Sequence, residues 1–179
     1  VEATLEQLKF PVGKFQAPEI FTTDLLQQNM QELATLPQKL KDAVAGWSEE
    51  QLDTPYRPGG WTIRQVIHHL ADSHMNGLSR IKLALTEENP TVKPYHEDLW
   101  AELADSKLMP VEPALQIIEG VHAKWVMLLQ HIHGEQWQRV FTHPQHGKTF
   151  TIAYQTAMYA WHGKHHLAHI TQLKSRMGW

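Results

Sequence analysis

Apolar residues recur three and four positions apart through four long stretches of the chain, the periodicity of amphipathic helices. Met30, Leu33, Leu36, Leu40 and Val44 mark the first, over residues 24–47, which Pro37 is expected to kink or divide. Thr62-Ile63-Arg64-Gln65 is a T-x-x-Q capping box that opens the second, and Asn89-Pro90 stops it near residue 88. Its apolar stripe is Val66, Leu70, Leu78, Ile81 and Leu85. On a separate polar stripe His69, Ser73, Asn76 and Arg80 follow at i, i+4, i+7 and i+11, as on a solvated face or the lining of a polar pocket. In the third stretch Leu115, Ile118, His122, Trp125, Leu129 and Ile132 step by 3, 4, 3, 4, 3, a bundle seam with a histidine set into it. The fourth covers residues 152–176 and carries Met158, Trp161 and Leu173.

The connecting segments are read from their breakers. Residues 1–20, with Pro11, Gly13 and Pro18, are expected to form an extended arm, and Ser48-Glu49-Glu50-Gln51 is a second capping box, stopped by Pro55. The long connection over 91–110 suits a crossover or a lid with a short helix at 97–104, and the β-branched and aromatic residues of 139–151 around Pro144 and Gly147 predict a hairpin. The pattern therefore predicts an all-α fold, a four-helix bundle with a small β-hairpin excursion, as one domain over residues 1–179. A chain of 179 residues is long enough to bury a full core without staples.

Composition narrows the chemistry. A net charge of -3 leaves no basic footprint for nucleic acid or an anionic membrane, so small molecules or a second copy of the chain are the expected partners. No run of apolar residues is long enough to span a bilayer, and residues 1–10 lack the apolar core of a signal peptide, so a soluble, cytoplasmic protein is expected. Absence of cysteine removes disulfides, thiolate ligands and a cysteine nucleophile. Neither a G-x-S-x-G elbow nor a G-x-G-x-x-G or P-loop motif occurs, which argues against a serine hydrolase and a nucleotide cofactor.

Histidine is what the chain has in excess. Seven of its thirteen fall within His68–His74 and His162–His169, fifteen positions where an even scatter would place about one. Two imidazoles at i and i+4 on a helix can share one transition metal, and three leave a tetrahedral zinc with an open position. In the second window His162/His166 and His165/His169 are both such pairs, on faces about 60° apart, and in the first His68 and His69 point about 100° apart. Spacing leaves both choices open. His96, His131, His133, His143 and His146 are expected to be solvated or local capping groups, and His122 a buried, hydrogen-bonded one. Trp61 and Trp161, close to the windows, are candidates for pocket walls.

The stretch Asp53-Thr54-Pro55-Tyr56-Arg57-Pro58-Gly59-Gly60-Trp61-Thr62, running into Val66-Ile67-His68-His69-Leu70-Ala71-Asp72-Ser73-His74-Met75-Asn76, resembles the YfiT branch of the DinB superfamily of metalloenzymes. Phe10-Pro11-Val12-Gly13, Trp161-His162-Gly163-Lys164-His165-His166-Leu167-Ala168-His169-Ile170 and the closing Ser175-Arg176-Met177-Gly178-Trp179 extend the likeness over nearly the whole chain. The resemblance implies an antiparallel four-helix bundle, a homodimer, and one divalent metal per chain, Zn2+ first and Ni2+ second, held by His69, His162 and His166. Many members of the wider superfamily carry Gln where this chain has His169, so a glutamine's role there is not carried over.

The resemblance also implies a metal-dependent hydrolase that activates water at a three-histidine site. Its alternatives are a thiol S-transferase that binds bacillithiol or a similar low-molecular-weight thiol, and a non-catalytic, metal-stabilised dimeric module. Asp72, Arg80, His122 and His165 are unranked candidates for a general base.

Overall fold

The computed structural model describes residues 3–179. Four long helices carry the architecture: α2 (Thr23–Val44), α4 (Ile63–Thr86), α7 (Glu112–Gln130) and α8 (Ile152–Met177). Short helices α1 (Leu5–Lys9), α3 (Glu49–Leu52), α5 (Glu97–Trp100) and α6 (Ala104–Leu108) lie in the connections, with a 3-10 turn at Gly134–Gln138. Strands β1 (Val140–His143) and β2 (Lys148–Thr151) pair antiparallel with Val140 opposite Thr151, as the hairpin expectation has it.

Helix starts follow hydroxyl caps. Thr22, Ser48, Thr62 and Thr151 each accept a backbone N–H from the first turn of α2, α3, α4 and α8, and Ser48/Gln51 and Thr62/Gln65 close full capping boxes. A further box, Thr4 with Gln7, winds α1 out of the segment expected to be wholly extended. Gly178 ends α8 in a left-handed conformation with φ 71°. The connection after α4 contains two short helices where one is expected from the sequence.

Pro37 does not divide α2. Its ring removes one N–H from the ladder, and the carbonyl left without that partner, Leu33 O four residues earlier, accepts the Nδ1–H of His122 at 2.6 Å instead. The helix continues because α7 supplies the missing donor.

Helix α2 packs on α7 and α8, and α4 packs on the same two, so α2 and α4 stand on one diagonal of the bundle. Along the α4/α8 seam, His69 meets His162 and His166, while Gly77 meets Tyr159, so residue numbers rise on one helix as they fall on the other and the two run antiparallel. Two apolar clusters fill the interior. One contains Leu36, Leu70, Ile118 and Ile170; the other contains Leu33, Leu78, Trp125 and Tyr159. His74 on α4 falls between the two, after Leu70 and before Leu78, as does His122 on α7, after Ile118 and before Trp125, and His162 and His166 on α8, after Tyr159 and before Ile170. A polar layer thus crosses the core. Among the described residues, no helix is long and apolar enough to cross a membrane.

The connections are tied to α4. Gln65 Nε2 donates to Ala101 O at 2.8 Å, and buried Arg64 donates to Met109 O at 3.0 Å and to Asp53 at 2.7 Å, with Glu49 as a further partner. Backbone bonds Val92 N–H to Thr142 O and Thr142 N–H to Pro90 O fasten the hairpin to the same crossover.

Gly77 sets how closely α4 approaches its neighbours: a Cβ there would lie 2.6 Å from the rings of both Trp125 and Tyr159. Gly120, also helical, has nothing within 4 Å of the place its Cβ would take. Gly120→Ala should therefore stabilise the fold by about 0.5–1 kcal/mol through helix propensity. Gly77→Ala should lower stability, because overpacking two buried rings costs about 1–3 kcal/mol. Urea midpoints of the two variants should move in opposite directions.

Candidate metal centre

Helix α4 turns His69 inward and His68 aside. The His68 Nε2–H donates to Met109 O at 3.2 Å, which commits that ring to the crossover. His69 instead puts Nε2 at 3.3 Å from His162 Nε2, which lies 3.1 Å from His166 Nε2 across one turn of α8. One ring nitrogen from each of the three can be chosen so that all lie within 4.8 Å of one another. His165, His166 and His169 form a second group of this kind, but His169 has both ring nitrogens engaged, on His166 and on Lys9 O.

The protons on these rings can be derived. Leu33 O can only accept, so His122 Nδ1 carries a hydrogen, and the neutral ring's Nε2 is an acceptor. His74 Nδ1, 2.7 Å away, must donate to it; His74 Nε2 then accepts from His162 Nδ1–H at 3.1 Å. The lone pair of His162 Nε2 is left facing His69 and His166. A second path runs the same way: Lys9 O accepts from His169 Nε2–H at 3.2 Å, and His169 Nδ1 accepts from His166 Nδ1–H at 3.3 Å, which frees the lone pair of His166 Nε2. Two lone pairs 3.1 Å apart repel unless a cation lies between them.

The spacing fits one. Two imidazole nitrogens each about 2.0–2.1 Å from a tetrahedral zinc stand roughly 3.3 Å apart. The residues present therefore suit a divalent ion, and the hydrogen-bonded partners behind His162 and His166 are of the kind that orient metal-binding imidazoles.

Burial keeps the rings neutral. It lowers His69 to about 4, helped by charge on His165, and holds His162, His166 and His74 well below the ordinary histidine range, with neighbouring histidines adding to the effect. His165 is lowered to about 4 and His169 to about 3, again mainly by burial.

Beside the three rings opens a cavity of about 360 Å³, walled by Trp61 and Trp161. From the polar stripe of α4, His69, Ser73 and Arg80 line it, whereas Asn76 bonds Asp72 O on its own helix. Of the candidate bases, His165 and Arg80 line the cavity. His122 is bound up in the path to Leu33 O, and Asp72, raised to about 6 by burial and the charge of Asp105, lies outside the lining. One expectation needs correction: His143 is buried, not solvated, because the hairpin folds it with His146 over the same cavity. The residue that sequence reasoning missed is His74, wholly buried at the centre of the layer. Its signal was present, since it fills the gap between Leu70 and Leu78 in the apolar stripe of α4.

Fold and site together define a helical bundle with a buried three-histidine cluster open to a cavity. Residues 32–170 match the DinB superfamily, and the chain belongs to it. Proteins of Bacillus cereus (strain ATCC 10987 / NRS 248) and Bacillus anthracis (strain A0248), both named "Putative metal-dependent hydrolase", are 48% identical over 175 residues, 98% of this chain and 100% of each of theirs. YfiT from Bacillus subtilis, described as "a probable metal-dependent hydrolase with an unusual four-helix bundle topology", superposes with a TM-score of 0.94 at 44% identity. That match covers 97% of this chain and 99% of YfiT.

Three outcomes are expected. Long-range 1H–15N spectra of the metal-free protein should show His122, His74 and His162 all as Nδ1–H tautomers. His74→Phe should reduce metal affinity by about 10–100-fold in chelator competition, the usual effect of losing an orienting partner, while His68→Ala leaves it unchanged. For pH, the depressed histidines mean that the unfolded chain binds more protons than the folded one below its ordinary pKa of about 6.5. Stability of the metal-free protein should be full above that pH and fall as pH drops toward 4, by at most about 1.4 kcal/mol per pH unit for each such histidine. Urea titrations at stepped pH measure the slope.

Proposed function

We propose that this chain is a metal-dependent hydrolase in which His69, His162 and His166 hold one divalent ion, zinc or nickel. The observation that carries the reading is the convergence of three imidazole Nε2 atoms, two of them with lone pairs aimed inward by their own hydrogen-bond paths. When bound, an ion at such a site supplies Lewis acidity, polarising a carbonyl and lowering the pKa of water to about 7. The chain's residues do the rest. His74 and His169 hold the rings in the ligating tautomer, Trp61 and Trp161 screen the cavity from bulk water, and the neutral ring of His165 at the cavity wall offers a proton acceptor. The names borne by the relatives agree with this reading.

The test is metal content joined to turnover. Purified protein loaded with Zn2+ or Ni2+ should hold one ion per chain, and His69→Ala, His162→Ala and His166→Ala should each lose it while His165→Ala keeps it. The loaded wild type should cleave simple aryl esters or anilides with no thiol added. Retention of metal by the three ligand variants would overturn the site. Turnover of an electrophile only in the presence of glutathione or cysteine would replace hydrolysis with thiol transfer.

A further inference from the structure

Arg80 is a buried residue, 9% exposed, that lines the cavity, and its guanidinium has no hydrogen bond or ion pair among the described residues. Burying an uncompensated charge is unfavourable, and the other buried arginine of this chain does not tolerate it: Arg64 has Asp53, Glu49 and Met109 O. Arg80 lines the cavity that holds the three histidines and also a second cavity of about 430 Å³, so it stands where the two meet. His143, buried beside it, is neutral at pH 7, lowered first by burial and then by the charge of Arg80, and its Nδ1 has no partner. Glu97 and Asp98 are exposed on the same cavity, and neither comes within 4 Å of the guanidinium.

From this we infer that Arg80 is the anchor for a carboxylate on the substrate, an inference that rests on the cavity being the active site proposed above. A planar guanidinium presents paired N–H groups that match the two oxygens of a carboxylate. One fixed positive charge, with two carboxylates at the rim, suits a monoanion better than a phosphate dianion. The placement also sets the shape of the substrate. Arg80 lies about 16 Å along α4 from His69, and helical side chains lean toward the helix N-terminus, so the guanidinium reaches back toward the histidines. The substrate class is therefore an elongated small molecule with its carboxylate at the end remote from the reacting bond.

The probes are hexanoate, its neutral match hexanamide, and methyl phosphate, titrated into metal-free and Zn2+-loaded protein while the Arg80 Nε–H and the indole N–H signals of Trp61 and Trp161 are followed by NMR. Hexanoate should bind saturably in both forms and at least tenfold more tightly than hexanamide or methyl phosphate. Arg80→Gln should weaken hexanoate at least tenfold, and Arg80→Lys should restore part of the loss. Because Arg80 has no partner to lose, Arg80→Gln should melt no lower than wild type when no ligand is present. A structural arginine would give the opposite. Equal affinity for acid and amide, undiminished hexanoate binding in Arg80→Gln, tighter binding of methyl phosphate, or a drop in melting temperature would each overturn the assignment. The metal-free arm keeps its failure distinct from failure of the metal site, which the metal content of the same samples reports.

Discussion

A neutral imidazole has one donor and one acceptor, and a histidine sealed in a core must place both. Two paths out of the layer between the apolar clusters satisfy this by direction: His122, His74 and His169 each donate toward the periphery and accept from the ring nearer the cavity. Charge is excluded by burial, so no ring can relax the arrangement by taking up a second proton at neutral pH. The direction is set at the far ends, by two backbone carbonyls that cannot donate. Every inward lone pair on His162 and His166 follows from Leu33 O and Lys9 O.

Features remote from the cavity therefore belong to it. Pro37 is tolerated within α2 because the carbonyl it frees receives a side-chain donor, and that donor fixes a proton two rings away, on His162. Helix α1 contributes the carbonyl of Lys9, at its last residue, to the other path. Buried networks of this kind are strong when every member is satisfied and costly when one is not. Arg80 is an exception, a donor without an acceptor at the cavity wall, and such local conflict is typical of positions kept for binding at the expense of stability.

Most of the fold is legible from periodicity and capping. Thr62 with Gln65, Ser48 with Gln51, and the 3-4 seam of α7 read directly, because local hydrogen bonds and burial act there in the same sense. Pro37 misleads because its effect depends on a donor 85 residues away, His122, which no local rule contains. The histidine windows announce the candidate site, but spacing cannot choose between His68 and His69, or between the two pairs on α8. That choice lies in tertiary contacts: Met109 O takes His68, and Lys9 O takes His169. The burial of His143 escapes a local reading for a similar reason, since the hairpin's position over the cavity depends on its bonds to the crossover.

The seam between α4 and α8 joins residues far apart in the chain: His69 and His162 are separated by 93 positions. An ion shared between them would be a cross-link as well as a reagent. In the chain-entropy account, closing a loop of that length restricts the unfolded ensemble by about 4–5 kcal/mol, as much as a disulfide of equal span. A protein without cysteine would thereby gain a staple that opens to a chelator and is indifferent to reductants.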